Sequence, residues 1–348
     1  MLCPRPPRTP RDGLPVFERR LHSIKPKREH SVTVKTTSIT RVPKALPAIG
    51  CTALPTLGCT ALAVLEQGSR KILALQAGGG RRLPFASLTK ILTAWLVLQA
   101  CEDDEALSTH LVVSKRASLA EGTSAGLRAG EILSVRDCLH AMLLPSGNDA
   151  AICLAEHFGT KLLAQRRGRS TSGNQQVAPS SEECLRFCYS AFVGEMATTV
   201  KEWDLKSIEL HSPHGFHKAE LNSNGMCGVN RGKVLEVATM IARCLSDRRL
   251  LDIFRTRKYF CSLLRPTGFE DMEVREIAWE STLPSIPGVD DLLGTKTGYS
   301  KGAGNCLASM VRLDGITCLA VTLGSQSRGQ RMLDNTQLWQ WIKAEVVN

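Results

Sequence analysis

The chain has 348 residues, 44 Lys and Arg against 33 Asp and Glu for a formal charge of +11, 43% hydrophobic and 5% aromatic residues, and 13 Cys. Apolar content near one half and charge near one quarter exclude a wholly disordered, collagen-like or multi-span membrane chain, and the length suffices for one large core or two smaller ones. The charge invites a polyanion partner until it is mapped: residues 1–50 hold 11 Lys and Arg against Asp12, Glu18 and Glu29, with 8 of the 16 Pro, and the other 298 residues carry only +3.

Residues 1–50 therefore read as a disordered basic leader, since so little apolar content cannot offset the entropy of ordering. Arg-rich, Ser/Thr-bearing and acid-poor, the leader fits an organelle targeting segment as well as a plain solvated tail. No apolar run follows a short basic start, as a secretory signal needs, and no segment is long and apolar enough to span a bilayer. Nucleic acid is not expected as a partner, because no aromatic interleaving accompanies the charge.

In chain order, Thr60–Leu65 and Lys71–Gln76 are apolar runs joined by Gln67-Gly68-Ser69-Arg70, a hairpin signal, and a Gly-rich break follows at Gly78–Gly80. Leu88, Ile91, Leu92, Trp95 and Leu96 keep helical spacing, which predicts a buried helix from near Ser87. Ser134 with Asp137 starts a second helix that Pro145 ends, and Asn148–Phe158 reads as a third, closed by Gly159. Gln165–Glu183 is a polar insertion, after which helical patterns resume at Phe187–Trp203 and Val234–Leu245. Cys306–Val311 and Ile316–Leu323 are strands around a Leu313-Asp314-Gly315 turn, and Arg328–Val347 is a closing helix. This order predicts an α/β (α+β) fold: an antiparallel sheet flanked by helices, its early and late strands paired across an inserted helical region.

The cysteines are odd in number, lack any C-x-x-C and stand singly among apolar neighbours, so buried thiols are expected rather than a zinc or disulfide framework. His211, His214 and His217 repeat at three-residue spacing, but no carboxylate completes a metal site at matching spacing, and no metal or other cofactor is expected.

Three short motifs carry the chemistry: Ser87-Leu88-Thr89-Lys90, Ser146-Gly147-Asn148 and Lys296-Thr297-Gly298. Singly each is weak, and Ser172-Gly173-Asn174 repeats the second inside the polar insertion. Together they are coherent. A serine hydroxyl needs an adjacent base to act as a nucleophile, residues three apart on a helix share a face, and burial near a second cation would keep Lys90 neutral part of the time.

The set resembles the penicillin-recognising serine enzymes and, more narrowly, the low-molecular-mass D-alanyl-D-alanine carboxypeptidases of peptidase family S11, of the β-lactamase/transpeptidase-like superfamily. The stretches that carry it are 84–93, Leu144 to Ala151, Ser212-Pro213-His214-Gly215 and Gly294 to Ser300 with Ala303-Gly304. The resemblance implies one catalytic domain over 51–348, with Ser87 the acylated nucleophile, Lys90 its base and Ser146 the proton relay to the departing D-alanine. It further implies that Asn148 holds the peptide amide, Lys296 and Thr297 bind the terminal carboxylate with help from Arg331 (Arg328 second), and the N–H groups of Ser87 and Tyr299, just past Gly298, form the oxyanion hole. The implied substrates are peptidoglycan stem peptides ending in D-Ala-D-Ala, the implied covalent inhibitors are β-lactams, and the family's usual location is extracytoplasmic. The usual signal peptide, β-rich second domain and C-terminal anchor have no counterpart here, and Phe216–Lys233 fits the family poorly. Two alternatives stay open. One is a pocket that binds stem peptides without catalysis. The other is a β-lactamase, against which Lys218 stands where the E-x-x-L-N pattern needs Glu before Leu221-Asn222.

Overall fold

The computed structural model describes residues 54–166, 181–216, 228–268 and 271–347. The basic leader, the second Ser-Gly-Asn string, His217 and Lys218–Asn222 lie outside the described residues. Within them, Ala61–Glu66 (β1) and Ile72–Gln76 (β2) form the expected hairpin.

β1 also pairs antiparallel with the late strand Ile316–Ser325 (β11), from Ala61 opposite Leu323 to Glu66 opposite Cys318. With Leu292–Ser300 (β9) and Gly304–Leu313 (β10) this completes a five-stranded sheet in the order β2-β1-β11-β10-β9. The β10–β11 turn places Asp314 at φ 46° and Gly315 at φ 83°, the left-handed pair that a two-residue hairpin requires. Early and late strands therefore meet at the sheet centre, as the element order implied.

Because β1 is central, both of its faces are buried, and alternation sorts its side chains into two cores. Leu62 and Val64 pack with Leu338, Trp339 and Ile342 of the closing helix Arg328–Val347, whereas Ala61, Ala63 and Leu65 face the inserted helices. On that second face lie helices Thr89–Gln99 and Val234–Cys244, with Val135–Leu143, Asn148–Arg166, Glu182–Glu202 and Arg248–Arg255 around them. The Ser134–Asp137 capping box is formed as expected, each side chain meeting the other residue's backbone N–H.

Three expectations need correction. Gly159 does not close a helix: the helix runs on to Arg166, and a Cβ at Gly159 would lie 1.8 Å from the Cys188 carbonyl oxygen, so glycine is there to admit the neighbouring helix. The polar insertion is shorter than Gln165–Glu183, since 165–166 are helical and Ser181 caps the helix that starts at Glu182, where the sequence suggested Phe187. The middle is also not wholly helical. Leu83–Pro84 (β3) pairs with Arg231–Gly232 (β6), and His110–Val112 (β4), Ile132–Ser134 (β5), Lys258–Pro266 (β7) and Met272–Glu280 (β8) form a second sheet in the order β4-β5-β7-β8. Charged residues run through β7 and β8 because one face is open to solvent, and this masked their alternation.

The second sheet has a positioning role. The Trp279 indole N–H donates to the Ala125 carbonyl at 2.8 Å, and Arg275 pairs with buried Glu131 at 2.8 Å, which holds the loop before Leu127 against helix Asn148–Arg166. Among the described residues Cys59, Cys101, Cys138, Cys153, Cys184, Cys244, Cys261, Cys306 and Cys318 are free thiols, and of these only Cys184 is exposed. No described helix is long and apolar enough to cross a membrane.

Candidate active site

Ser87 sits in a single 3-10 turn, Ala86–Leu88, that runs directly into helix Thr89–Gln99. Ala86 takes φ 44°, an uncommon value for a residue with a side chain, and its surroundings hold it there. Its carbonyl accepts the Thr89 hydroxyl at 2.7 Å, and Gly215 packs so closely that a Cβ would come within 1.9 Å of the same oxygen. Asn230, fully buried, ties the turn to the 212–215 loop: its amide donates to Thr89 Oγ1 and to the Ser212 carbonyl, both at 2.9 Å, and its Oδ1 accepts from the N–H groups of His211 and Ser212.

The Lys90 Nζ is fully buried and reaches three oxygens: Ser87 Oγ at 2.8 Å, Asn148 Oδ1 at 2.7 Å and the His214 carbonyl at 3.1 Å. Burial pushes its pKa well below the ordinary lysine value, the charge of Lys296 adds to this, and Asp149 opposes it. As an ammonium Lys90 uses all three donors. As an amine it keeps two and turns a lone pair to the serine O–H.

The second motif lies in the break after helix Val135–Leu143. Ser146 is held at φ 68°, and Gly147 has no room for a side chain, since a Cβ would meet the Ala141 carbonyl oxygen at 2.8 Å. Asp149 fixes the facing loop by accepting from the N–H groups of Ala125 and Leu127 and from the Ser124 hydroxyl. Asn148 then has both ends engaged, its Oδ1 on Lys90 and its Nδ2 on the Glu121 carbonyl at 2.6 Å.

The third motif is on β9, an edge of the main sheet. The buried Lys296 Nζ donates to Ser146 Oγ at 2.8 Å and to the Thr297 carbonyl at 3.1 Å, and Thr297 Oγ1 lies 2.6 Å from Thr282 Oγ1. Burial and then the charge of Arg331 lower the Lys296 pKa from 10.5 to about 7. At Gly298 a Cβ would lie 3.3 Å from the Ser87 nitrogen, so the strand passes directly against the nucleophile's N–H, and Tyr299 follows with its ring exposed. Arg331, in the first turn of the closing helix, is 8% exposed, and its Nε has no hydrogen-bond partner.

The structure thus forms two hydrogen-bonded groups, Lys90 with Ser87 and Asn148 and Lys296 with Ser146 and Thr297, near enough that the Lys296 charge acts on Lys90, with Gly298 packed against the Ser87 nitrogen and Arg331 acting on Lys296. His214 serves through its carbonyl, and its Nδ1 accepts the Phe216 N–H at 3.1 Å. Among the described residues no three His, Cys, Asp or Glu side chains could share a metal ion. Sequence reasoning missed Thr89, Asn230, Asp149 and Thr282. Thr89, inside Ser87-Leu88-Thr89-Lys90, and Asp149, in the stretch that follows Ser146-Gly147-Asn148, carried a signal by position; Asn230 and Thr282 carried none.

A family model described as D-alanyl-D-alanine carboxypeptidase matches residues 51–161. A D-alanyl-D-alanine carboxypeptidase of Streptomyces sp. (strain K15) is 25% identical over 282 residues, which cover 80% of this chain and 84% of that one. DacF, a D-alanyl-D-alanine carboxypeptidase of Bacillus subtilis (strain 168), is 24% identical over 276 residues, covering 79% of this chain and 59% of the relative's length. Among solved structures, the Streptomyces K15 DD-transpeptidase superposes with a TM-score of 0.68 at 22% identity, over 84% of this chain and 100% of that one. A penicillin-binding protein homolog of Mycobacterium tuberculosis gives 0.63 at 18% identity, over 86% and 96%.

Proposed function

We propose that this chain is a serine peptidase of the D-alanyl-D-alanine carboxypeptidase family, whose model matches residues 51–161, and that it removes the terminal D-alanine from peptides ending in D-Ala-D-Ala through an acyl-enzyme on Ser87. The observation that carries the reading is the buried Lys90 Nζ, 2.8 Å from Ser87 Oγ and kept from its usual charge by burial and by Lys296.

In this mechanism the neutral Lys90 takes the Ser87 proton as Oγ attacks the carbonyl carbon of the penultimate D-alanine. The N–H groups of Ser87 and Tyr299 stabilise the oxyanion, a contribution of about 3 kcal/mol per donor in comparable sites. The proton passes by way of Ser146 to the leaving nitrogen, the C–N bond breaks and D-alanine departs. Lys296, Thr297 and Arg331 hold its carboxylate throughout. Water then attacks the ester, with Lys90 as base, and frees the serine. Penicillin, whose carboxylate and strained amide present the same groups, acylates Ser87 in the same way. Stem peptides of peptidoglycan are the substrates that this chemistry fits.

Incubation with a fluorescent penicillin followed by mapping of the adduct tests the proposal. Labelling at Ser87 that disappears in Ser87→Ala and Lys90→Ala, with D-alanine release from a D-Ala-D-Ala tripeptide, supports it. A folded wild type that takes no label refutes it, and labelling without D-alanine release leaves a binder. One structural neighbour is a DD-transpeptidase, so the same assay with an added amine acceptor measures how the acyl group divides between water and amine.

A further inference from the structure

We propose, resting on the reading above, that Asp334 is a positioning residue for the carboxylate end of the site: it fixes the closing helix in the one rotation that aims Arg331, a turn earlier, at the substrate's terminal carboxylate. The Asp334 carboxylate is fully buried, yet its hydrogen bonds all come from neutral donors. Its Oδ1 accepts the Gly58 N–H at 2.7 Å and the Gln330 side-chain amide at 2.8 Å, and its Oδ2 accepts the Ser325 hydroxyl at 2.7 Å. A buried carboxylate without a cation is costlier to hold than an apolar side chain of similar size. Adhesion of the helix does not require it, since Leu338, Trp339 and Ile342 pack on the sheet further along. Apolar packing is non-directional, and the hydrogen bonds of Asp334 are directional.

The contacts of Asp334 lead back to the reacting groups. Ser325 ends β11 opposite Asn305 of β10, and Asn305 stands opposite Tyr299 of β9. The Asn305 amide donates to the Ser325 carbonyl at 3.2 Å. Gly324 lets the chain leave the strand here: it takes φ 76°, and a Cβ on it would come 2.5 Å from Thr60 Oγ1. A line of neighbours therefore joins the strand that carries Gly298 and Tyr299 to the first turn of the closing helix. Asn335 adds a second tie, its amide donating to the Arg331 carbonyl at 2.8 Å and to Thr322 Oγ1 of β11 at 3.1 Å.

Arg331 depends on that rotation. It is buried, its charge acts on Lys296, and its Nε has no hydrogen-bond partner, so no bond at Nε holds the guanidinium in place. With Cα about 2.3 Å from the helix axis and a side chain that reaches about 6 Å further, a rotation of about 10° moves the guanidinium by more than about 1 Å. Misplacement on that scale can cost about 100-fold in rate. Asp334 does not neutralise Arg331 in exchange, because its oxygens are committed to Gly58, Gln330 and Ser325.

The test compares the rates at which benzylpenicillin and its methyl ester acylate Ser87 in the full chain, read by competition with a fluorescent penicillin. The acid-to-ester ratio isolates the carboxylate contacts and is internal to each variant, so a general loss of rate or of folded protein does not alter it. Arg331→Gln should lower the ratio by roughly tenfold or more, the scale of a hydrogen bond to a charged group. Asp334→Ala should lower it to a similar extent, and Ser325→Ala, which deletes one donor, by less. Asp334→Asn keeps an acceptor for the Gly58 N–H and should recover most of the loss. In the Arg331→Gln background, Asp334→Ala should leave the ratio unchanged. The proposal is overturned if Asp334→Ala slows acid and ester equally, if it lowers the ratio as much without Arg331 as with it, or if Arg331→Gln leaves the ratio intact. Should Asp334→Ala not fold, Ser325→Ala answers the same comparisons. Wild type that takes no penicillin label overturns the proposed function as well, whereas a labelled wild type whose ratio is indifferent to Asp334 and Ser325 overturns the positioning role alone.

Discussion

Replacing Lys296 with Met should make the protein more stable while removing its activity. Burial and the Arg331 charge lower the Lys296 pKa from 10.5 to about 7. Between those values the unfolded chain holds a proton that the folded chain does not, so this residue makes stability rise with pH and costs most below about pH 7. The full cost is about 5 kcal/mol. Lys296→Met removes it and also removes the cation that opposes the Lys90 charge. Against this stand the lost hydrogen bonds to Ser146 Oγ at 2.8 Å and to the Thr297 carbonyl at 3.1 Å, about 1 kcal/mol each. The variant should therefore exceed the wild type by about 3 kcal/mol at pH 6. Its advantage should shrink about tenfold in the folding equilibrium per pH unit and vanish near about pH 9. Urea unfolding of both proteins at four pH values between these limits and above measures the difference directly. A difference that does not vary with pH, or a wild type that is the more stable at pH 6, would refute the electrostatic reasoning.

Arg331→Gln removes the second cause of the low Lys296 pKa, so the alkaline limb of kcat/KM, which follows loss of the Lys296 charge, should move to higher pH; an unmoved limb or one moved lower counts against that assignment. Gly159→Ala would gain about 1 kcal/mol from helix propensity alone, but its Cβ would lie 1.8 Å from the Cys188 carbonyl oxygen and must push two helices apart, so a loss of about 1–3 kcal/mol is expected in denaturant titration and a gain contradicts the packing argument. Arg275→Met leaves Glu131, 2% exposed at its side chain, without its guanidinium and should cost about 3–5 kcal/mol. Adding Glu131→Gln should restore much of that, and a double variant no more stable than the single one excludes an uncompensated charge as the cause.

Four strands of the main sheet and most of its helices were legible because their patterns are local, whereas β9 and the short helix Arg248–Arg255 were not. Leu88, Ile91, Leu92, Trp95 and Leu96 mark one helix, and Leu313-Asp314-Gly315 marks one turn. The β4-β5-β7-β8 sheet was not legible, because β7 and β8 keep a solvated face on which Lys258 and Ser262 of β7 and Glu276 and Glu280 of β8 interrupt any apolar run. Gly159 misled for a related reason. A glycine that ends a helix and one that lets another backbone approach look alike until the partner, here Cys188, is known.

The same distinction divides the site. Ser87, Lys90, Ser146, Asn148, Lys296 and Thr297 stand in short motifs because their contacts need fixed local spacing. Asn230 joins Thr89 to Ser212 across a separation of 141 residues on one side, and no periodicity reports such a pairing. Charge follows the same logic. Of the ion pairs formed among the described residues none involves Lys90, Lys296 or Arg331, and the nearby Asp149 is committed to the N–H groups of Ala125 and Leu127. Three buried bases without a carboxylate partner are costly to hold, and two of them respond with lowered lysine pKa values. On the proposed reading a substrate carboxylate supplies the missing countercharge at Lys296 and Arg331. Binding it should raise the proton affinity of Lys296, while Lys90, shielded by burial and tied to Ser87, keeps the lone pair that acylation requires. On the proposed reading the positive charge that matters to function is Lys296 with Arg331 at one anion, and not the net +11 of the chain.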